Sequence, residues 1–188
     1  MLEEIIRKRR SVKPAQMTGK QIDDAVIKKL LELANWAPTH GRTEPWRFIV
    51  YPQSKIPEFA RANAEIYRET TPADKYKEPV YHKLQTVEHA SHLVIAYMKR
   101  GSNANIPEIE EISATAAAVQ NLLLAAASEG ISTFWSTSGR THHPAMKEYF
   151  GLAEEDIILG QIYLGYSDTA LGEGSRTTSA EEKIRWIN

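Results

Sequence analysis

The sequence predicts an α+β fold. Stretches with helical periodicity and stretches with strand character follow one another without the regular alternation that builds a doubly wound parallel sheet. No glycine-rich phosphate loop of the G-x-x-x-x-G-K-S/T or G-x-G-x-x-G type occurs in the chain. With 188 residues and no internal repeat or boundary, the chain is expected to form one domain, 1–188.

The first half of the chain predicts helices around one strand. Residues 2–6 carry one apolar face of a short first helix. Thr18 and Gln21 have the spacing of a capping box at the start of a second helix, which Pro38 is expected to end. The next elements are a strand over 46–51, a helix over 54–68 and a polar stretch over 69–88, which has no clean period and is expected to be a mobile excursion or lid.

The second half of the chain contains the strongest patterns. The continuous apolar run 92–98 is typical of a strand buried on both faces. The alanine- and leucine-rich run 108–129 predicts a long helix, with Gly130 just past its end. The remaining predicted elements are a strand over 131–136, a short helix over 144–150, a strand over 157–166, a loop over 167–178 and a sheet-edge strand over 183–188.

Composition and charge exclude several classes of function. Apolar residues make up 42% of the chain and the net charge is −1, so nothing indicates a general attraction to nucleic acid or membranes. The absence of cysteine excludes disulfides and thiol nucleophiles. The N-terminal residues lack an apolar signal core, and the most apolar run, 114–127, is shorter than the roughly 20 residues of a membrane span. We therefore expect a soluble, cytoplasmic protein.

Arginines near both ends of the chain are candidates for anion binding. Arg9, Arg10 and Ser11 follow the first helix, where two guanidinium groups and a hydroxyl can hold phosphate oxygens. The same residues also fit a solvated charge run that offsets the helix dipole. Arg176 lies in a glycine-bordered tail, where an isolated arginine is ordinarily solvated.

Two further stretches carry residues suited to a flat, polar ligand. The loop 36–46 places a histidine, an arginine and a glutamate between two tryptophans, which is more than a simple connection needs. The tryptophans also fit a role as core anchors. After the strand at 131–136, small hydroxyl residues and Gly139 let the backbone approach a planar ligand, and an ordinary turn explains them equally well.

No pattern for metal, nucleophilic or acid–base chemistry stands out. His89 and His92 are three residues apart and His142 is next to His143, but no carboxylate lies at metal-ligand spacing from either pair. The G-x-S-x-G motif of serine hydrolases is absent. We predict no metal site and no catalytic side chain.

The order of several motifs resembles that of the nitroreductase family of flavin enzymes, along nearly the whole chain. RRSVKP is similar to the family's RRSVR opening, and LANWAPTHGRTEPWRFIV contains its A-P and P-W-x-F pairs. ATAAAVQNLLLAAASEGISTFW is similar to the family's N-L-x-L-A-A helix followed by Gly and Trp. LGYSD and RTTSAEEKIRW match its closing motifs. The length is similar to that of the compact branch.

The resemblance implies a central mixed, mainly antiparallel sheet flanked by helices, in an intertwined homodimer with FMN at the interface. It implies that Arg9, Arg10 and Ser11 hold the phosphate and ribityl chain, and that Arg176 returns to the phosphate. It also implies that a loop with Trp36, His40 and Arg42 reaches the flavin from the partner subunit. The segment Trp135, Ser136 and Thr137 would face the ring. The helix end from Ala125 to Gly130 would lie near the nicotinamide nucleotide.

The function implied by this resemblance is ping-pong transfer of reducing equivalents from NADH or NADPH through FMN to a nitroaromatic, a quinone or a similar acceptor. Two positions depart from the family, because Arg42 and Glu44 stand where many relatives carry Asn and Gln. How Arg42 and Glu44 affect the redox properties of the flavin therefore stays open. Two alternatives also stay open: a relative with a different flavin reaction, such as dehalogenation or azoline oxidation, and a non-enzymatic FMN-binding storage or sensor protein.

Overall fold

A four-stranded antiparallel sheet forms the centre of the computed structural model, which describes residues 2–86, 89–169 and 172–187. The strands are β1 (Trp46–Pro52), β2 (His92–Met98), β3 (Ser132–Ser136) and β4 (Ile157–Gly165), in the order β1-β2-β4-β3. All three pairings are antiparallel. A parallel bridge between Ser11 and Thr133 joins the N-terminal segment to β3. The predicted α+β class is confirmed.

Helices cover both faces of the sheet. Within the described residues these are α1 (Leu2–Lys8), α2 (Asp24–Ala34), α3 (Ile56–Thr70), α4 (Glu78–Gln85), α5 (Glu108–Ser128) and α6 (Pro144–Phe150). The longest, α5, ends two residues before Gly130, whose φ of 70° is a left-handed conformation that glycine adopts without strain. The predicted long helix and its glycine stop are confirmed.

Alternation along β2 sends its side chains into two apolar clusters. Val94 packs with Leu30 of α2 and Leu122 of α5 on one face of the sheet. Ile95 packs with Phe59 of α3 on the other face. Because β2 has a paired strand on each side and helices on each face, its sequence is apolar throughout, as predicted.

The second helix begins later than the capping-box pattern predicts. Its cap is Asp23, whose carboxylate accepts a hydrogen bond from the Ala25 amide at 2.8 Å. The Thr18 hydroxyl instead accepts from the Lys20 amide at 3.2 Å, in a local turn. The prediction was wrong because Ile22, which belongs to the apolar pattern, is buried in the core before the helix starts.

The structure also corrects the predictions for two polar segments. The stretch 69–88 shows no period in sequence, yet it contains α4, whose Pro79 lies in the first turn where proline favours a helix. The tail over 183–188 was wrongly predicted as an edge strand. Ile184 and Trp186 are exposed, and among the described residues this tail pairs with neither sheet edge. Val87, Glu88 and Asn188 lie outside the described residues.

A buried polar chain ties the start of β2 to the start of α2. Ser91 is 0% exposed, and its hydroxyl oxygen accepts from the Ile22 amide at 2.7 Å. His92 Nδ1 lies 2.9 Å from this oxygen, and His92 Nε2 lies 3.0 Å from Asp24 Oδ1. Because the Asp24 carboxylate only accepts, Nε2 carries a ring proton, and in the neutral imidazole Nδ1 then accepts from the Ser91 hydroxyl.

Replacing Ser91 by alanine is expected to lower the free energy of unfolding by about 1–3 kcal/mol, because the Ile22 amide and His92 Nδ1 then lose their buried partner. Urea denaturation of the two proteins measures the difference. The exposed Ser54 provides the matched control, since Ser54→Ala removes a hydroxyl from the surface. Equal losses in both variants would contradict the role assigned to Ser91.

Candidate functional site

A cleft of about 490 Å³ opens between α4 and the β3 side of the sheet. Its size falls within the range of small-molecule binding sites. Residues from α3, α4, β3 and β4 line it, together with the short turn that follows the N-terminal segment. Its apolar lining consists of Pro14, Ala15, Ile56, Ala60, Val80, Leu84, Ala90 and Phe134.

The polar lining of the cleft presents hydrogen-bond donors. The polar residues that line it include Lys13, Lys83, Asn63, Ser136 and Ser138. No aspartate or glutamate is among the lining residues described. The cleft is therefore complementary to a flat, largely apolar ligand that carries acceptor atoms or negative charge at its edge.

Gln161 fixes the loop that borders the cleft after β3. This buried side chain donates to Thr141 Oγ1 at 2.8 Å and to the Ser138 carbonyl at 3.2 Å, and the Thr141 hydroxyl donates to the same carbonyl at 2.7 Å. Gly139 has φ 69°, and a Cβ there would lie 2.4 Å from Asn63 Oδ1. The absence of a side chain lets this loop lie directly against α3.

Arg140 clamps the same loop to the end of α3. Its Nη2 donates to the Thr70 carbonyl at 3.3 Å and to the Thr71 hydroxyl. Its guanidinium carbon lies 5.7 Å from the centroid of the Tyr67 ring. The Nε atom is buried without a partner in the part of the chain that the structure describes. The point where the chain leaves α3 toward α4 is thus held to the cleft wall.

Aromatic contacts and hydrogen bonds hold α4 against α3. The Tyr81 hydroxyl donates to Glu65 at 2.7 Å, and this carboxylate raises the pKa of Tyr81. Desolvation, and then the hydrogen bond to Glu78, raise the pKa of Tyr76 to about 12. Both phenols therefore remain protonated donors at neutral pH. The Tyr76 ring lies 5.6 Å from that of Tyr67 on α3.

The N-terminal segment reaches the cleft along β3. The Val12 amide donates to the Thr133 carbonyl at 2.9 Å, and Val12 itself is buried. Because side chains alternate along extended backbone, Ser11 and Lys13 face away from Val12. Lys13 lines the cleft, and Ser11 lies on the same side two residues earlier.

Arg9 and Arg10 line a second cavity, of about 290 Å³, between α1 and the end of α5. Arg10 is already engaged, because its guanidinium donates to the carbonyls of Arg7, Arg9 and Gly172. The Arg9 guanidinium has no partner among the residues described. Gly130 also lines this cavity, so the structure brings Arg9, Arg10 and Gly130 together beside Ser11.

The segment after α5 divides between two faces of β3. Ser136 lines the cleft with Phe134, whereas alternation turns Trp135 to the opposite face. There, Trp135 Nε1 donates to the Leu159 carbonyl at 3.0 Å, over Gly160. A Cβ on Gly160 would lie 2.3 Å from Trp135 Nε1. Thr137 is exposed and does not line the cleft.

The loop 36–46, predicted to contact the ligand, lies away from both cavities, at the start of α5. His40 Nδ1 is 2.6 Å from Glu110 Oε2, in the first turn of α5. Trp36 is 76% exposed. Arg42 and Glu44 have φ of 55° and 42°, a left-handed conformation that side-chain-bearing residues rarely adopt, and no ion pair joins them in the described structure.

The length of α5 separates the two groups of predicted residues. His40 contacts its first turn, and Gly130 follows its last. The 21 residues of α5 span about 30 Å at 1.5 Å per residue. His40 and Arg9 of the same chain therefore lie at opposite ends of α5.

Two further predicted residues line neither cavity. Ala125 is partly buried against the core cluster around Leu122. Arg176 is exposed, and its Nη1 donates to the Ser175 carbonyl at 2.8 Å. Arg176 does not line the cavity of Arg9 and Arg10, but the tail that carries it contacts Arg10 through the Gly172 carbonyl.

Three cleft residues were missed in the sequence. Lys13 could have been found from its spacing of two from Ser11 on an extended segment. Asn63 is a buried polar residue on α3, and sequence periodicity does not distinguish it from a surface position. Lys83 lies in the stretch that shows no period.

None of the described helices is long and apolar enough to cross a membrane. The described histidine, aspartate and glutamate side chains form no group of three that could hold a metal ion.

An antiparallel sheet covered on both faces, with a donor-lined cleft beside β3 and an arginine-lined cavity next to it, defines an α+β protein with a site for a flat ligand that carries an anionic group. The chain belongs to the nitroreductase family, whose family model matches residues 6–166. The resemblance found in the sequence motifs is thereby confirmed.

Individual relatives match this chain over nearly its full length. YfhC of Bacillus subtilis (strain 168), provisionally named an NAD(P)H nitroreductase, is 28% identical over 178 residues, which cover 94% of this chain and 90% of YfhC. A nitroreductase-like family protein from Bacillus cereus superposes with a TM-score of 0.77 at 26% identity, covering 100% of this chain and 96% of that one. The FMN-dependent nitroreductase NfnB from Mycobacterium smegmatis, in complex with NADPH, shares the fold, with a TM-score of 0.72 at 18% identity and coverage of 99% and 97%.

Proposed function

We propose that this protein is an FMN-dependent oxidoreductase that passes reducing equivalents from NADH or NADPH to a nitroaromatic, a quinone or a similar small acceptor by a ping-pong mechanism. The observation that carries the proposal is the cleft beside β3, which combines an apolar lining with donors and without a carboxylate. The family membership and the NAD(P)H nitroreductase names of the relatives support it. NfnB supplies the precedent for FMN and NADPH together.

The residues present fit the parts of FMN. The apolar lining of the cleft suits the ring system, and Ser136 and the Lys13 ammonium suit its polar edge. Arg9, Arg10 and Ser11 would hold the phosphate and ribityl chain, since guanidinium groups bind phosphate oxygens in pairs. Arg176 would return to this phosphate from the tail.

The protein's own side chains bind and orient the ligands, and they exclude water from the cleft. When bound, FMN supplies the redox chemistry, accepting a hydride from NADH or NADPH and passing electrons to the acceptor. Lys13 would stabilise negative charge at the edge of the ring. Helix α4 covers the cleft with Val80 and Leu84, which limits access of water. This division of labour requires no catalytic side chain.

A homodimer accounts for the separation of the predicted residues. No charged residue occurs between Glu111 and Glu129 of α5, and two large apolar side chains are exposed: Ile109 in the first turn of α5 and Trp36 in the loop after α2. Two copies related by a twofold axis, with their α5 helices antiparallel, would bring the loop of one copy to the arginine end of the other. Trp36, His40 and Arg42 would then reach FMN from the partner subunit. Light scattering at twice the chain mass would agree with this arrangement, and a monomer that retains FMN would not.

The nicotinamide nucleotide is assigned to the same end of α5. Gly130 lines the arginine cavity and has no side chain there, while Ala125 lies in the last turn of α5. We place the stretch from Ala125 to Gly130 near the nicotinamide nucleotide, and Trp135 and Thr137 near the ring in the assembled dimer.

The visible absorption spectrum of the purified, dialysed protein tests the proposed function. We expect a flavin spectrum that bleaches anaerobically when NADPH or NADH is added and returns when a nitroaromatic or quinone follows. Bound flavin that neither nucleotide bleaches would favour a storage or sensor protein. A colourless protein that also does not bind added FMN would overturn the proposal.

A further inference from the structure

We propose that the cleft prefers electron acceptors that carry a negative charge, and that Lys83 on α4 is the residue that recognises this charge. The inference rests on the proposed function and names the acceptor class of the same site. It concerns small aromatic acceptors with an anionic substituent, such as a carboxylate.

The charge of the cleft lining is the first observation. Two lysines line it, and no aspartate or glutamate is among the described lining residues. The whole chain has a net charge of −1, so a preference for anions cannot come from general attraction and must be local. Asn63 and Ser138 add neutral donors, which suit the oxygens of a nitro group or a carboxylate.

The position of Lys83 on α4 is the second observation. Val80, Lys83 and Leu84 are spaced three and four residues apart on one helical face, and all three line the cleft. Hydrogen bonds and ring contacts hold this helix against α3, as in the 2.7 Å bond between Tyr81 and Glu65. An ordered helix thus places Lys83 at the cleft.

The ammonium of Lys83 is also free to bind. It forms no hydrogen bond or ion pair within the described parts of the chain. The acidic residue of the same helix, Glu78, is engaged with His82 Nε2 at 3.1 Å and with the Tyr76 hydroxyl at 2.8 Å. No neighbouring carboxylate on α4 therefore competes with an incoming anion.

The two lysines have different tasks. Lys13 belongs to the same segment as Ser11 and Arg9, which places it with the residues proposed to hold the cofactor. Lys83 comes from the helix that covers the cleft. This leaves the Lys83 ammonium for the second ligand, the acceptor.

Paired acceptors that differ in one charge test the inference on the FMN-loaded protein. We expect Lys83→Gln to lower kcat/KM for 4-nitrobenzoate by about three- to tenfold, the effect of one partly exposed charge-assisted contact, and to leave 4-nitrobenzamide within about twofold. The wild-type preference for the carboxylate should weaken as salt is added, because a contact at the cleft mouth is screened. Lys83→Arg should retain the preference.

Lys28→Gln is the matched control, since Lys28 is an exposed lysine on α2 that does not line the cleft. Binding of benzoate and benzamide, measured by isothermal titration calorimetry, gives a readout that does not depend on turnover. Weaker benzoate binding in Lys83→Gln alone would support the inference. Equal benzoate binding in wild type, Lys83→Gln and Lys28→Gln would overturn it.

The two proposals fail in different ways. If NADPH bleaches the flavin but Lys83→Gln treats both nitro compounds as the wild type does, the acceptor inference is wrong and the proposed function stands. If the wild type binds benzoate through Lys83 but neither nucleotide bleaches its flavin, the charge preference stands and the proposed function is wrong.

Discussion

Replacing Arg100 by alanine is expected to lower the free energy of unfolding by about 3–5 kcal/mol, because it leaves a buried carboxylate without its partner. Glu111, in the first turns of α5, is 1% exposed and pairs with the Arg100 guanidinium. The same guanidinium donates to the Ile106 carbonyl at 2.8 Å. The pair therefore fixes the loop between β2 and α5, and its loss affects the longest helix.

Urea denaturation at neutral pH measures this loss, and a double variant separates its cause. Glu111→Gln in the Arg100→Ala background removes the unpaired charge while keeping an acceptor for the Gly101 amide, which lies 3.2 Å from the carboxylate. We expect the double variant to regain much of the lost stability. If it is no more stable than Arg100→Ala, the unpaired charge is not the cause.

Replacing Arg9 by alanine is expected to weaken FMN binding by about ten- to a hundredfold, the loss of one charge-assisted contact to the phosphate. The Arg9 guanidinium is unengaged within the described structure, whereas that of Arg10 holds three backbone carbonyls. Fluorescence titration of the apoprotein with FMN measures the affinity of the Arg9→Ala and Arg10→Ala variants. Arg10→Ala should in addition lower the thermal unfolding temperature, because it frees the segment around Gly172.

Arg7→Ala is the control for this comparison, since Arg7 lies exposed on α1 in an ion pair with Glu3 at 2.9 Å. We expect its FMN affinity to match that of the wild type. Unchanged affinity in Arg9→Ala would remove Arg9 from the proposed phosphate site, whatever the behaviour of Arg10→Ala.

The fold was predictable where local pattern and tertiary environment agree. The run 92–98 is apolar because both faces of β2 are covered, and 108–129 is rich in alanine and leucine because α5 packs along the sheet. Errors arose where an element depends on distant partners. Ile22 precedes α2 because Ser91 holds its amide, and α4 depends on tyrosine contacts to α3 rather than on its own period.

The candidate site was predictable only in part for a similar reason. Motifs identify residues that resemble the pattern of a family, and these include Arg9, Arg10 and Ser11. The cleft also needs Lys13, Asn63 and Lys83, which come from three different elements and meet only in the folded chain. The helix that separates His40 from Arg9 was predicted over nearly its full length, because its alanine- and leucine-rich pattern is local.

The length of α5 has a consequence for dimers formed from two different variant chains. In the proposed dimer each site takes its arginines from one chain and its loop from the other. A chain altered at Arg9 and a chain altered at His40 would each form defective homodimers. A mixed dimer of the two would contain one doubly altered site and one intact site, so two inactive proteins would complement each other.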